Sequence, residues 1–442
     1  MNASPGSRHP REVIEADTFQ CLIALAAERF ADLPAIAGLT GPPVTYRALG
    51  ALVDAFRSDL RAHGIGPQDR VLFPAPQTAF GALLLLALQA SAVAVPVRED
   101  VPAAELAALL PRLGLRAALL PRTSSRAGRP YRLAVAQAGI PALDADLRHG
   151  CRLLLAGAPA GPPAPDRDAL PNDVALIFHT SGTTGRPKLV PLSQRSVADY
   201  PARCWSHMPV WPGDVTLVSP PIVFAFGQSS LSRSLASGGL AVLPYPQPAA
   251  VLSTLVASYR PAWLPISPLM LDHWLRGAGH APIASGGRLR YLHLAGAFTP
   301  LPLREAAESR LAAQVLQGYG TSEALAAACH PLDTPRRPET AGVPVSPLRI
   351  VDEAGTPLPA GDAGLIQIGG PTVFAGYLDD PAATARALTP DHWFRTGDRG
   401  LLLPDGHLLL LGRADDVINH GGEKIDPYEV EAVLLAHPAV LE

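Results

Sequence analysis

An apolar run, Asp-Val-Ala-Leu-Ile-Phe-His at 173–179, passes directly into Thr-Ser-Gly-Thr-Thr-Gly-Arg-Pro-Lys at 180–188. A short apolar run of this kind is a buried strand, and what leaves its carboxyl end is a loop of hydroxyls and glycines closed by a lysine. Open α/β sheets bind ligands at that end of their strands. Gly182 and Gly185 let backbone N–H groups approach an anion closely. Thr180, Ser181, Thr183 and Thr184 line the loop with hydroxyl donors, and Lys188 adds a positive charge suited to phosphate. A Ser/Thr/Gly turn by itself is an ordinary flexible loop; the strand before it and the lysine within it make this one a phosphate loop. It is not the P-loop pattern, because Lys188 lies three residues after Gly185 and is followed by Leu189.

Lysine is rare enough here to be informative. Of 36 basic side chains only Lys188 and Lys424 are lysine, and the rest are arginine. In a chain so biased toward Arg, Ala, Leu and Pro, a surviving lysine marks a place needing a compact, mobile charge that a planar guanidinium does not imitate. Chance survival is the plainer reading, more readily accepted for Lys424 than for Lys188.

Hydrophobic residues make up 48% of the 442 residues and charged residues 17%, enough for a large core in two or three domains. The net charge is −3, with both signs dispersed, and there is no basic stripe of a dedicated nucleic-acid binder. Cys21, Cys151, Cys204 and Cys329 are far apart and form no CxxC pair, as expected of reduced, mostly buried thiols in a cytosolic protein. The first residues carry no apolar segment of a signal peptide. The stretch Ala79 to Val97 is apolar, but Gly81, Gln89, Ser91 and Pro96 interrupt it. A buried helix at 80–91 running into a strand at 92–97 fits better than a membrane span.

Strands and helices alternate through most of the chain. Thr45 is placed to cap a helix running to about His63, a strand is expected at 70–74, a helix at 103–110 and a strand at 116–120. Residues 121–171, rich in Pro, Arg and Ala, read as irregular connections. A second βα series covers about 214–330, and short strands with turns at 341–411 predict a small antiparallel unit. The expected fold is α/β: two doubly wound αβ subdomains (1–172 and 173–340), a β-subdomain (341–411), and a hinge with the start of a further domain (412–442).

Three more stretches follow the phosphate loop: Gln-Gly-Tyr-Gly-Thr-Ser-Glu at 317–323, Phe-Arg-Thr-Gly-Asp-Arg-Gly at 394–400, and Gly-Arg-Ala-Asp-Asp-Val-Ile-Asn-His-Gly-Gly-Glu-Lys-Ile at 412–425. Singly they are a structural bend, a surface turn and a polar hairpin. With the loop at 180–188, and in this order, they resemble the adenylate-forming superfamily of acyl-CoA synthetases, peptide-synthetase adenylation domains and luciferases, over nearly the whole chain. The wording around 179–193 and 418–427 is most similar to the oxalate–CoA ligase branch.

The resemblance implies that Tyr319, between Gly318 and Gly320, stacks on adenine. Gly296 and Ala297 line the adenine pocket, Ser322 stands where Thr is usual, and Glu323 ligates Mg²⁺. Asp398 holds the ribose hydroxyls, Arg413 contacts ribose or phosphate, and Asp415 is the hinge residue. Asn419 departs from the lysine common at its position. The implied reaction is attack of a carboxylate on the α-phosphorus of ATP, giving acyl-AMP and pyrophosphate, then transfer to coenzyme A or a carrier-protein pantetheine. The family's catalytic lysine lies near the end of the small C-terminal domain. No lysine follows Lys424, so the chain is expected to stop inside that domain and to adenylate poorly.

For the acid pocket the segment 220–228 supplies Phe224, Phe226 and Gln228, with Arg233 beyond it. No Asp occurs between Asp214 and Asp272, where amino-acid-activating domains carry one, so an acid without an α-ammonium group is favoured. Phe224 stands where many acyl-CoA synthetases have His. Arg233 reads as a solvated helix arginine, with a second carboxylate of the substrate as its alternative partner. The competing readings are a carrier-loading adenylation domain, a luciferase-like oxygenase, and a degenerate nucleotide-binding protein, against which Lys188, Glu323, Asp398 and Arg413 argue.

Overall fold

The computed structural model describes residues 13–121, 128–148, 152–164, 168–170, 172–180, 187–244, 249–279, 283, 287–297, 299–333 and 337–416, together with 418–420, 423–425, 430 and 433–434. Two large sheets carry the chain. In spatial order the first contains Arg152–Ala156, Ala142–Arg148, Ala117–Pro121, Arg70–Pro74, Val93–Val97, Val174–Thr180 and Lys188–Ser193. Its interior pairs are parallel, and the first and last strands are antiparallel edges. The second has nine strands: Val343–Pro344, Leu325–Cys329, Gln314–Thr321, Tyr291–Leu294, Trp263–Ile266, Val215–Leu217, Leu240–Val242, Pro34–Ala37 and Val44–Thr45. Parallel strands with intervening helices are the α/β architecture expected from the alternating pattern.

The sheets do not divide at residue 172. Pro34–Ala37 and Val44–Thr45 belong to the nine-stranded sheet, while Val174–Thr180 and Lys188–Ser193 complete the other. The segment 121–171 is also less irregular than its composition suggests. It contains a helix, Gly128–Gln137, and two strands, Ala142–Arg148 and Arg152–Ala156, that pair antiparallel. Burial of Tyr131, Val135 and Leu143 against the sheet overrides the poor local propensity.

The Ala79–Ser91 helix shows why an apolar segment need not meet lipid. Every residue from Gly81 to Ser91 is buried, because the helix packs against Val93–Val97 and Val174–Thr180 of one sheet and Pro34–Ala37 of the other. A helix walled in on all sides is apolar all round. No helix among the described residues is long and apolar enough to cross a membrane. Thr45 accepts from the Ala48 N–H and caps the helix Tyr46–Ala62, as its position predicts.

A four-stranded antiparallel sheet follows, Leu348–Val351, Gly364–Ile368, Phe394–Leu402 and Leu408–Arg413. It is tied to the nine-stranded sheet by hydrogen bonds from the Ala341 N–H to the Leu408 carbonyl and from the Phe374 N–H to the Glu323 carbonyl. Because the helix Ala79–Ser91 joins the cores of both large sheets, replacing its fully buried Leu85 by Ala removes contacts no neighbour can supply. Leu85→Ala is expected to lower the unfolding free energy by about 2–5 kcal/mol, measured as a shift of the urea midpoint.

Candidate active site

The Gln314–Thr321 strand changes partners partway along its length. Gln314 to Gln317 pair parallel with Tyr291–Leu294, and from Gly318 onward the strand pairs antiparallel with Leu325–Cys329. Gln317 stitches the switch: its Oε1 accepts from Thr299 Oγ1 at 2.7 Å, its Nε2 donates to the Gly318 carbonyl, and its backbone N–H donates to His330 Nδ1. The motif 317–323 therefore leaves the parallel sheet and runs along the rim of two adjoining cavities that share Thr321.

The first cavity, about 340 Å³, is mostly apolar. Its walls include Phe224 and Phe226 from the loop and helix at 220–236, Tyr200, Met208, His293, Cys329, and the strand segment from Gly318 to Ser322. Gly296 contributes a left-handed backbone, φ +91°, at the end of the Tyr291–Leu294 strand. Ala297 offers its carbonyl to Gln317 Nε2 at 3.4 Å. Gly318 admits no side chain, since a Cβ there would lie 2.6 Å from His293 Nε2.

The second cavity, about 310 Å³, is polar. Among the described residues, Lys188, Arg386, Arg395 and Arg413 line it with a single carboxylate, Glu323. Glu323 accepts from the Tyr377 hydroxyl at 2.8 Å, and Lys188 Nζ sits 4.9 Å from the Tyr377 ring centroid. The buried Thr321 Oγ1 has no hydrogen-bond partner among the described residues, although such groups are normally satisfied. A surplus of cations and an orphaned hydroxyl suit a polyanionic guest. Thr180 and Lys188 are register partners in the hairpin that ends each side of the phosphate loop. Ser181, Gly182, Thr183, Thr184 and Gly185 lie outside the described residues.

Asp398 and Arg413 are cross-strand partners, and Arg413 Nη1 donates to Asp398 Oδ1 at 2.9 Å. The Tyr319 hydroxyl donates to the other carboxylate oxygen. Burial first, and then the Asp398 charge, push the Tyr319 phenol well above its usual value, so it remains a donor. The residues placed by sequence at adenine, ribose and phosphate are thus joined by direct hydrogen bonds. Asp415 is exposed in the short turn Ala414–Asp416.

Two residues are placed differently from their expectation. Gln228 does not line the cavity; it is buried and donates to Ser232 Oγ at 2.9 Å, one turn along its own helix. Arg233 is not solvated, being 2% exposed, with its guanidinium behind the cavity wall rather than on it. The helix Ala225–Ala236 is buried from Gly227 to Ala236, so it has no solvent face on which an arginine could lie. Sequence reasoning missed Tyr200, Met208, His293, Thr321 and Tyr377. The signal for His293 was a lone polar residue in the buried strand Tyr-Leu-His-Leu; Tyr377 carried none.

No group of three or more His, Cys, Asp or Glu side chains able to hold a metal occurs among the described residues. That donor set fits Mg²⁺ only in the manner of nucleotide enzymes, with one carboxylate, here Glu323, and the substrate's phosphates completing the shell.

The profile of the AMP-binding enzyme family matches residues 23–378. The oxalate–CoA ligase of Arabidopsis thaliana is 31% identical over 444 residues, covering 97% of this chain and 85% of that protein. The sulfoacetate–CoA ligase of Cupriavidus necator is 31% identical over 447 residues, covering 96% and 84%. The crystal structure of ATP-bound MatB from Rhodopseudomonas palustris superposes with a TM-score of 0.83 at 26% identity, over 96% of this chain and 84% of that one. A rim motif at a strand switch, a cation-rich cavity beside an apolar one, and these matches place the chain in the AMP-binding enzyme family, as an AMP-forming acid–thiol ligase of the acyl-CoA synthetase kind.

Proposed function

We propose that the chain activates a carboxylic acid lacking an α-ammonium group as its acyl-AMP, and that coenzyme A is the thiol that receives the acyl group. The observation that carries this is the meeting of an apolar cavity and a cation-rich one at Thr321. An acid seated in the first presents its carboxylate to an α-phosphorus held at the seam, with the β- and γ-phosphates in the second. The attacking oxygen forms a bond to phosphorus as the bond to the pyrophosphate oxygen breaks.

Lys188 and the phosphate loop hold the departing pyrophosphate, and Arg413 faces the same cavity. Mg²⁺ on Glu323, when bound, offsets charge on the phosphoryl oxygens. Asp398 orients the ribose through its hydroxyls, and Tyr319 covers the base. Ser322 lines the apolar cavity, next to Thr321 at the seam, and serves there as a hydroxyl donor. Among the described residues no Asp or Glu lines the apolar cavity, which supports the exclusion of an α-amino acid because a buried ammonium there would lack a counter-charge. Coenzyme A is favoured over a carrier protein by the coenzyme A ligases among the relatives. The segment 412–442, with Asp415 as its pivot, is assigned to the hinge and the start of a small domain that turns between the two half-reactions.

Lys188→Ala is expected to lower acid-dependent ATP–pyrophosphate exchange about 10²-fold or more while the fold is kept, since one charge-stabilising donor is removed from the transition state. An unchanged rate would remove Lys188 from the mechanism. Asp398→Asn is expected to weaken ATP binding roughly tenfold, the cost of losing a charged hydrogen-bond acceptor, with little change in the acid's own KM. Calorimetric titration with a non-hydrolysable ATP analogue reads the first quantity, and the exchange assay reads the second.

A further inference from the structure

Behind the apolar cavity lies a permanent positive charge with no carboxylate beside it among the described residues. Arg233 forms no ion pair among the described residues, yet a guanidinium does not discharge by losing its proton. Its Nη2 donates to the Met208 carbonyl at 2.6 Å, and its Cζ lies 4.5 Å over the Trp263 ring. The remaining polar neighbours are Tyr200, Tyr291, Cys204 and Cys329.

Its other contact leads into the cavity. Arg233 Nη1 stands 3.5 Å from His293 Nδ1. A guanidinium offers only donors, so Nδ1 must accept, and the ring proton is left on Nε2. Burial, and then the Arg233 charge, hold the imidazole neutral. An edge-to-face contact with Phe226, 5.1 Å between centroids, fixes the ring. Nε2 lies against Gly318 at the cavity wall, and the Trp263 indole N–H, in the same cluster, is buried with no acceptor among the described residues. The cavity wall at this end therefore presents the His293 Nε2–H donor, and the layer behind it carries a positive charge with no carboxylate among the described residues.

Building on the acid-activating function proposed above, we infer that this cluster is the specificity site for the far end of the substrate. It takes a short acid bearing a second anionic oxo group, carboxylate or sulfonate, whose oxygen accepts from His293 Nε2–H. Arg233 is a positioning residue: it fixes the tautomer of His293 and supplies the field that favours an anion. Phe226 and Met208 enclose the intervening carbons.

The test compares matched acids of equal length, butanoate with succinate and propanoate with malonate and sulfoacetate, in ATP–pyrophosphate exchange. The same acids are also scored by thermal shift in the presence of a non-hydrolysable ATP analogue. The wild type is expected to favour the doubly anionic acid by roughly 30-fold or more in kcat/KM, the discrimination typical of a buried charged contact. Arg233→Met is expected to bring that ratio close to one. His293→Gln, which keeps an N–H donor, should retain part of the preference and carries the test if Arg233→Met does not fold. Equal use of both acids by the wild type, or parallel loss of both in the variants, overturns the inference while leaving acid activation intact. If exchange is silent, the absence of a diacid-specific thermal shift overturns it equally. Failure of the ATP analogue to bind would instead strike the adenylate-forming mechanism itself. Malonate preferred with no response to sulfoacetate identifies carboxylate as the group read, and the reverse identifies sulfonate.

Discussion

Asp398 stands where two sheets have to agree. Its carboxylate receives Arg413 from the neighbouring strand of the four-stranded sheet and Tyr319 from the rim of the nine-stranded one. A carboxylate accepts along several directions at once, which lets one residue fix both a cation and an aromatic face relative to a third group, the ribose it is proposed to hold. Charge-assisted bonds of this kind are short and directional. The cavities on either side inherit their shape from that junction, since Arg413 and Thr396 line one and Tyr319 the other. A shift of one sheet against the other would break the set together, and so the proposed nucleotide site is also a lock between the two sheets.

The partner switch along Gln314–Thr321 has a comparable role within one strand. The strand does not stop at the carboxyl edge of the parallel sheet. By turning antiparallel to Leu325–Cys329 after Gln317, it carries Tyr319, Thr321 and Ser322 across the mouth of the cavities. Gly318 and Gly320 are needed for the same reason. A Cβ on the first would meet His293, and one on the second would lie 2.1 Å from the Leu325 carbonyl oxygen. The glycines of the motif are thus demanded by close packing of strand on strand, before any ligand enters.

Where local chemistry decides the structure, the chain was legible. The Thr45 cap, the apolar helix after Thr78 and the strand before the phosphate loop follow from periodicity and capping. The segment 121–171 was not, because its pairing depends on partners far away. Arg233 was misread for a different physical reason. Arginine is seldom buried, but that rule assumes a helix with a polar face. The helix Ala-Phe-Gly-Gln-Ser-Ser-Leu-Ser-Arg-Ser-Leu-Ala is serine-rich rather than charged, and its serines satisfy themselves internally: Ser229 and Ser230 both donate to the Phe226 carbonyl. A helix whose polar groups are small and self-bonded can be buried on every side, and its one charge goes in with it. The ordered motifs at 317–323 and 394–413 carried the candidate site, and Phe224 and Phe226 line the cavity as expected, whereas Tyr200 and Met208, drawn from separate parts of the chain, did not announce themselves.

The scarcity of lysine bears on the polar cavity. Arg386, Arg395 and Arg413 each lie along its wall, and two of them are already committed: Arg395 donates to the Leu388 carbonyl at 2.7 Å and Arg413 to Asp398. A guanidinium held in a fork presents its charge in a fixed direction, which suits a group that stays in place. In the proposed reaction the pyrophosphate does not stay in place, because its bridging oxygen gains charge and then moves away as the phosphorus–oxygen bond opens. Lys188 meets that demand with a single rotatable ammonium resting over the Tyr377 ring, a contact weak enough to leave when a stronger anion arrives. An arginine at this position would gain stacking on the same ring and lose the freedom to follow the leaving group.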